Sequence, residues 1–123
     1  MPLDPCFSVW SEDREGCQVV FVSGELDDAT AWMLDDAIGA CDPVWPVIVD
    51  LSDVKFMSSA GLHAVLRERA AAVSLVAPPG NVARLFDIVR ANRRCPLYED
   101  LDDAFQGIAL AGSFNVKPGT SAV

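Results

Sequence analysis

Ser58 and Ser59 stand side by side where a short apolar run, Val47-Ile48-Val49-Asp50-Leu51, gives way to a helical pattern carried by Leu62, Val65 and Leu66. This junction is where side chains of the chain are best placed for chemistry. The β-branched run reads as a strand covered on both faces, and the i, i+3, i+4 spacing after it as one face of a helix. The first turn of a helix leaves backbone N–H groups without partners and carries a partial positive charge, so it suits a hydroxyl cap, a phosphate or both. Taken alone, a Ser-Ser pair at this place is most simply an N-cap, since serine is among the best capping residues. The two serines could be structural, modifiable or both.

A nucleophilic serine needs more than a helix start. His63 lies four residues beyond Ser59, one turn on, within reach of its hydroxyl. Acyl chemistry also demands a group that orients the base and an oxyanion site. The sequence holds no Gly-x-Ser-x-Gly elbow, no Gly-x-x-x-x-Gly-Lys loop and no dinucleotide fingerprint. His63 is therefore read as an exposed surface residue, and no catalytic residue is assigned. Four cysteines, Cys6, Cys17, Cys41 and Cys95, are scattered without a Cys-x-x-Cys pair. With one histidine in the chain they suggest no metal site and no redox motif, and free thiols in a reducing compartment are expected. No metal and no cofactor is expected.

The elements that position the junction are legible on both sides of it. Residues 7–10 alternate, a polar break follows over 12–16, and Val19-Val20-Phe21-Val22 comes next, which predicts an antiparallel pair. Asp27 or Asp28 is placed to cap a helix from about Ala29 to Ala40, with Ala31, Leu34, Ala37 and Ile38 on its inner face. Val73 to Val76 predicts another core strand. Beyond the Pro78-Pro79-Gly80-Asn81 break, Val82, Leu85, Phe86 and Val89 give an apolar helical face. Leu97-Tyr98 reads as a short edge strand, and Asp100 as the cap of a last helix with Leu101, Ala104, Phe105 and Ile108 turned inward. The alternation of strands and helices predicts a mixed sheet with helices packed on it.

At 123 residues the chain fits one domain with a sizeable core, and a hydrophobic content of 51% excludes a disordered protein despite a net charge of −9. That charge argues against nucleic acid as a partner. Acidity is more simply a device for solubility than a sign of a basic protein partner. No apolar run approaches the roughly 20 residues that span a bilayer, and Met1-Pro2-Leu3-Asp4-Pro5 lacks the features of an export signal. No membrane association and a cytoplasmic location are expected.

The segment Asp50-Leu51-Ser52-Asp53-Val54-Lys55-Phe56-Met57-Ser58-Ser59-Ala60-Gly61-Leu62 resembles the signature of the STAS domain. It is most similar to that of the bacterial anti-sigma factor antagonists, which runs Asp-Leu, a few residues, Phe-Met-Asp-Ser-Ser-Gly-Leu. Gly24-Glu25-Leu26-Asp27 followed by Thr30 resembles the family's turn into its first helix, and Arg84-Leu85-Phe86-Asp87 resembles its third helix. The resemblance, over about residues 7 to 110, implies an α/β fold: a STAS-like mixed β-sheet of about four to five strands with about four helices packed against it. The domain is expected over residues 1–110, with a mobile tail, rich in Gly, Ser and Pro, over 111–123.

The resemblance also implies a function. Such an antagonist is not an enzyme; it binds an anti-sigma factor with serine kinase activity, releases a sigma factor, and is switched off by phosphorylation of the serine that matches Ser59. A phosphatase that restores it is a further implied partner. Asp27, Ser58, Gly61 and Leu62 would join Ser59 at the partner surface. Two departures stand out. Ser58 occupies the position where the antagonists usually carry Asp, and the stretch 61–78 is shorter than in relatives, so a truncated second helix running through 67–70 is expected. The alternative is a STAS module without a phosphorylation switch, acting as an interaction scaffold, a ligand sensor or a transport-associated subunit.

Overall fold

The computed structural model describes residues 7–111. Strand β1 (Ser8–Arg14) and strand β2 (Cys17–Leu26) form an antiparallel hairpin in which Arg14 pairs with Cys17. Only Glu15 and Gly16 lie between them, with φ of 50° and 80°. Positive φ at both turn residues matches the twist of the flanking strands. The hairpin is thus longer and its turn tighter than the polar break over 12–16 suggested, because residues 11–14 are an exposed edge strand that has no need of apolar side chains.

The rest of the chain alternates: α1 (Ala31–Gly39), β3 (Val47–Met57), α2 (Ser59–Leu66), β4 (Val73–Val76), α3 (Asn81–Ile88), a 3-10 turn over Ala91–Arg93, β5 (Leu97–Tyr98) and α4 (Leu101–Ala111). The sheet order is β1-β2-β3-β4-β5, with every pair after the hairpin parallel. The expected mixed sheet with four helices is what the chain forms. Crossovers between parallel strands are right-handed, so successive steps in one direction put their helices on one face. Leu34 and Ile38 of α1, Val65 of α2 and Phe86 of α3 accordingly share one core with Val20, Val22, Val47, Val49, Leu51 and Leu75. The alternate positions, Val19, Ile48 and Val76, point to the other face, where Leu101, Ala104, Phe105 and Ile108 of α4 cover them.

Two features set the position of the serines. β4 pairs with β3 only over residues 47–50, so beyond Asp50 strand β3 runs on beside β2 alone, as a two-stranded ribbon that ends with Leu26 beside Met57. At the other end of the sheet the loop into β3 is pinned by the buried Gln18. Its Nε2 donates to the carbonyls of Asp42 (2.8 Å) and Trp45 (3.3 Å), and its Oε1 accepts from the Asp42 N–H (2.8 Å).

Several expected boundaries move. α1 begins at Ala31, with Thr30 rather than Asp27 or Asp28 at the N-cap. β3 is twice as long as its apolar start, because its second half needs burial only at Val54 and Met57. α2 stops at Leu66, and residue 67 turns to an extended backbone, so 67–70 is not helical. Val89 follows α3 rather than lying on its inner face and is 43% exposed. Cys17 and Cys95 are free thiols. Burial, with the charge of Glu15 adding, pushes the Cys17 thiol up to about 11, far from reactive. Cys6, the start of the chain and the expected tail from residue 112 onward lie outside the described residues.

Candidate functional site

The tip of the β2–β3 ribbon sets the start of α2. The Ser58 N–H donates to the Leu26 carbonyl across the ribbon (2.9 Å), which fixes Ser58 in an extended conformation at φ −85°, ψ 177°. From there its Oγ accepts from the Gly61 N–H (3.3 Å), and its carbonyl receives the first intrahelical bond, from the Leu62 N–H (2.9 Å). Ser58 is the N-cap that its residue type suggested. Gly61 is buried because the first turn of α2 is laid directly on the end of β2. A Cβ there would sit 2.4 Å from the Leu26 carbonyl oxygen and 2.9 Å from its Cγ. Gly61 therefore seats the helix, whereas Leu62 is half-buried and packs partly against the main core.

Ser59, the first residue of α2, is exposed. No carboxylate lies in the first turn of this helix, and its cap is neutral. The first-turn N–H groups and the positive end of the helix dipole are thus uncompensated by acidic side chains of α2 itself. Among the described residues no hydrogen bond joins Ser59 to His63, which is exposed as expected, and no group of His, Cys, Asp and Glu is arranged to hold a metal.

The aspartates before α1 divide two tasks. Asp27 works within its own turn: its Oδ1 accepts from the Ala29 N–H (3.0 Å), its N–H donates to Thr30 Oγ1 (3.0 Å), and its carbonyl accepts from the Ala31 N–H (2.8 Å). Thr30 Oγ1 donates in turn to the Glu25 carbonyl (2.8 Å). Its neighbour Asp28 is the one that approaches the serines, its Oδ1 lying 3.5 Å from Ser58 Oγ. The fold therefore gathers Ser58, Ser59, Gly61 and Leu62 into one turn, holds Asp27 one residue away from it, and adds Asp28. Sequence alone does not decide which of two adjacent aspartates faces a residue thirty positions on.

Phe56, two residues before Ser58, is 52% exposed, and Trp32, in the first turn of α1, is 63% exposed. Both are large apolar side chains on the elements that lead into the site. Trp32 left a sequence signal: the inward positions Ala31, Leu34 and Ile38 put it on the outer side of its helix.

Arginines hold the far end of α2. Arg69 donates to the Ala64 carbonyl and Arg94 to the Leu66 carbonyl (3.2 Å), so cations meet the negative end of the dipole and its unpaired carbonyls. Asp35 of α1 binds Arg67 and also Arg69 (2.8 Å). Partial burial raises the Asp35 carboxyl, but the hydrogen bonds and charges of Arg69 and Arg67 outweigh it and leave it below its ordinary value. An eight-residue helix is marginal by itself. Here both ends are fastened, and the serines are held in a fixed frame.

Comparison with known proteins shows the family and the fold. The model of the STAS domain matches residues 11–104. The anti-sigma-F factor antagonist RsfB of Mycobacterium tuberculosis is 30% identical over 103 residues, covering 78% of this chain and 84% of that protein. The crystal structure of an anti-sigma factor antagonist from Mycobacterium paratuberculosis superposes with a TM-score of 0.76 at 30% identity, over 89% of this chain and 99% of its own. SpoIIAA in its unphosphorylated form shares the fold at 22% identity, with a TM-score of 0.56 over 87% of this chain and 99% of its own. Among the described residues no helix is long and apolar enough to cross a membrane.

Proposed function

The chain belongs to the STAS domain family, and on that premise we propose that it is an anti-sigma factor antagonist whose switch is Ser59. In this reading it binds an anti-sigma factor with serine kinase activity in the cytoplasm and releases a sigma factor. Phosphorylation of Ser59 ends the binding, and a phosphatase restores it. The chain is the substrate of an enzyme and catalyses nothing itself. Ser58, Gly61, Leu62 and Asp27, with Asp28 added by the fold, frame the contact surface. Exposed Phe56 and Trp32 supply apolar area of the kind a partner covers.

One observation carries the proposal: an exposed serine heads a helix whose cap is already filled by the preceding residue and whose first turn holds no carboxylate. A phosphate there adds about −1.5 to −2 charges at pH 7, which the helix start stabilises within the free domain. A partner that covers the neutral hydroxyl would have to desolvate that charge or exclude it. Reversing an equilibrium from 99:1 to 1:99 takes roughly 5.5 kcal/mol of differential affinity, within reach of a buried dianion.

The test pairs the anti-sigma kinase of the same genome and ATP with calorimetric titration. Phosphosite mapping should find Ser59 and leave Ser58 unmodified. Ser59→Ala should bind like the parent and resist phosphorylation, while Ser59→Asp should stay folded and bind at least tenfold more weakly. Equal affinities for parent, both variants and the phosphorylated chain would overturn the switch and leave Ser59 an ordinary helix residue.

A further inference from the structure

The two edges of the sheet differ: β5 is 2 residues long and β1 is 7. A short edge offers little to pair with, whereas a long one presents a row of backbone N–H and C=O groups to any strand laid beside it. Among the described residues no strand lies outside β1. Its register against β2 runs without a bulge from Ser8 to Arg14, and it contains no proline and no lysine, the usual protections of an edge. Its charges, Glu12, Asp13 and Arg14, are confined to the second half, so Ser8-Val9-Trp10-Ser11 is an uncharged edge. Trp10 is the cross-strand partner of Phe21, and their rings stack at a centroid distance of 5.2 Å and an interplanar angle of 18°. The Arg14 guanidinium, 5.0 Å from the Phe21 centroid, holds the inner ring in turn. One face of the indole is thus taken by Phe21. The other looks out over the edge, where a further strand would bring its own side chain at the same spacing, and Trp10 is 44% exposed.

We propose that β1 is a pairing surface for a second copy of this chain, laid antiparallel across a two-fold axis at Trp10. Residues opposite each other in an antiparallel pair share one face of the sheet, so such an axis passes between two copies of a single residue. An axis at Glu12 or at Asp13 would set that carboxylate against its own copy. At Ser11 it would make the two copies of Glu12 diagonal neighbours and face each Trp10 with a carboxylate. At Trp10 the two indoles meet, which extends the stack to Phe21, Trp10, Trp10 and Phe21 across both chains. Ser8 then faces Glu12 of the second copy, and the carboxylates lie at the outer ends of the paired segment. Two chains of net charge −9 repel each other at long range. At physiological salt that repulsion is screened beyond about 8 Å, and the strand contact decides. None of the residues that frame Ser59 belongs to β1, so this pairing and the Ser59 switch stand or fall separately.

The test is sedimentation velocity of the full chain at physiological salt, over a dilution series reaching about 1 mM. A monomer–dimer equilibrium is expected. Trp10→Lys sets two like charges face to face and should weaken the dimer about tenfold or more, while Trp10→Phe keeps the ring stack and should stay within about threefold of the parent. Ser8 separates the registers and covers the case in which Trp10→Lys folds poorly, since Ser8 is exposed. Ser8→Lys, opposite Glu12 of the second copy, should tighten the dimer about threefold, and Ser8→Glu should loosen it by about as much, both effects fading with added salt. Circular dichroism checks that each variant keeps the fold. A chain that stays monomeric throughout the series, or a dimer indifferent to Trp10→Lys, would overturn the proposal and leave β1 an edge open to a strand of another protein or to water only. Reversed signs at Ser8 would overturn it as well, because they would place Ser8 opposite Arg14 and the axis at Ser11.

Discussion

Two helix starts in this molecule are built alike and charged differently. α4 is capped by Asp100, whose Oδ1 accepts from the Asp103 N–H (2.8 Å), and Asp102 and Asp103 follow in its first turn. α2 is capped by Ser58, whose Oγ accepts from the Gly61 N–H (3.3 Å), and its first turn holds no carboxylate. In both, the residue before the helix satisfies the third N–H of the turn. At α4 the positive end of the dipole already faces three carboxylates, so further negative charge there meets repulsion. At α2 it faces a neutral hydroxyl and an exposed serine. The removable charge proposed for Ser59 would meet no carboxylate of α2 itself, Asp28, 3.5 Å from Ser58 Oγ, being the carboxylate beside the cap.

The largest effect should come from the glycine that seats each helix. Gly61→Ala drives a Cβ to 2.4 Å from the Leu26 carbonyl oxygen, a backbone atom of a paired strand that also accepts from Ser58. Gly107→Ala meets the Tyr98 hydroxyl at 2.3 Å, the far end of a side chain that can swing aside. We expect Gly61→Ala to lose about 3 kcal/mol, the upper end of overpacking costs, and Gly107→Ala about 1 kcal/mol. For a domain of this size each kcal/mol is roughly 4 °C of melting temperature. Equal shifts in thermal melts would show that α2 is not seated on Leu26.

The far end of α2 gives a pH test. The folded Asp35 carboxyl titrates below its ordinary value of 3.8. Its contribution is therefore complete above the unfolded pKa and is lost as the pH falls through the lower folded one. Denaturant melts of the parent and Asp35→Asn should differ at pH 7 and converge below about pH 4. A gap that persists at pH 2 would assign the effect to packing instead of to the Arg67 and Arg69 pairs.

Removing each cap tests the charge difference itself. Ser58→Ala and Asp100→Ala should each cost about 0.5–2 kcal/mol. The Asp100 loss should shrink more as salt is raised, since only there is the capping group that is removed itself charged. Matching salt slopes would erase the distinction between the two starts.

The serine junction, the strand and helix order and the cap at Ser58 were legible because each rests on a local pattern: a β-branched run, an apolar spacing, a capping residue. The length of β3 was not, since its second half is a ribbon exposed at Ser52, Asp53, Lys55 and Phe56, where no apolar periodicity is required. The start of α1 was misread because Asp27 looks like a cap, yet spends its carboxylate on the turn before Thr30. The end of α2 at Leu66 depends on Arg69 and Arg94, and on Asp35 of another helix, which no local spacing reveals. Asp28 is the clearest instance, being a site residue only by virtue of the fold.

The smallest effect expected is also the most specific to the site. Ser58→Asp would convert the α2 cap into one like that of α4. Aspartate caps as well as serine and suits the dipole, which by itself adds about 0.3–1 kcal/mol. The Asp28 Oδ1, however, lies 3.5 Å from Ser58 Oγ, so the new carboxylate would face a like charge. The two contributions oppose each other, and Ser58→Asp alone should leave stability within about 0.5 kcal/mol of the parent. Combined with Asp28→Asn the repulsion disappears and the cap should gain, so a double-mutant cycle should return a coupling of about 0.5 kcal/mol or more, reduced by added salt. A cycle that closes at zero would mean that Asp28 does not share the field of the α2 start. A measured coupling would mean that a carboxylate already stands beside Ser58, supplied by the turn into α1.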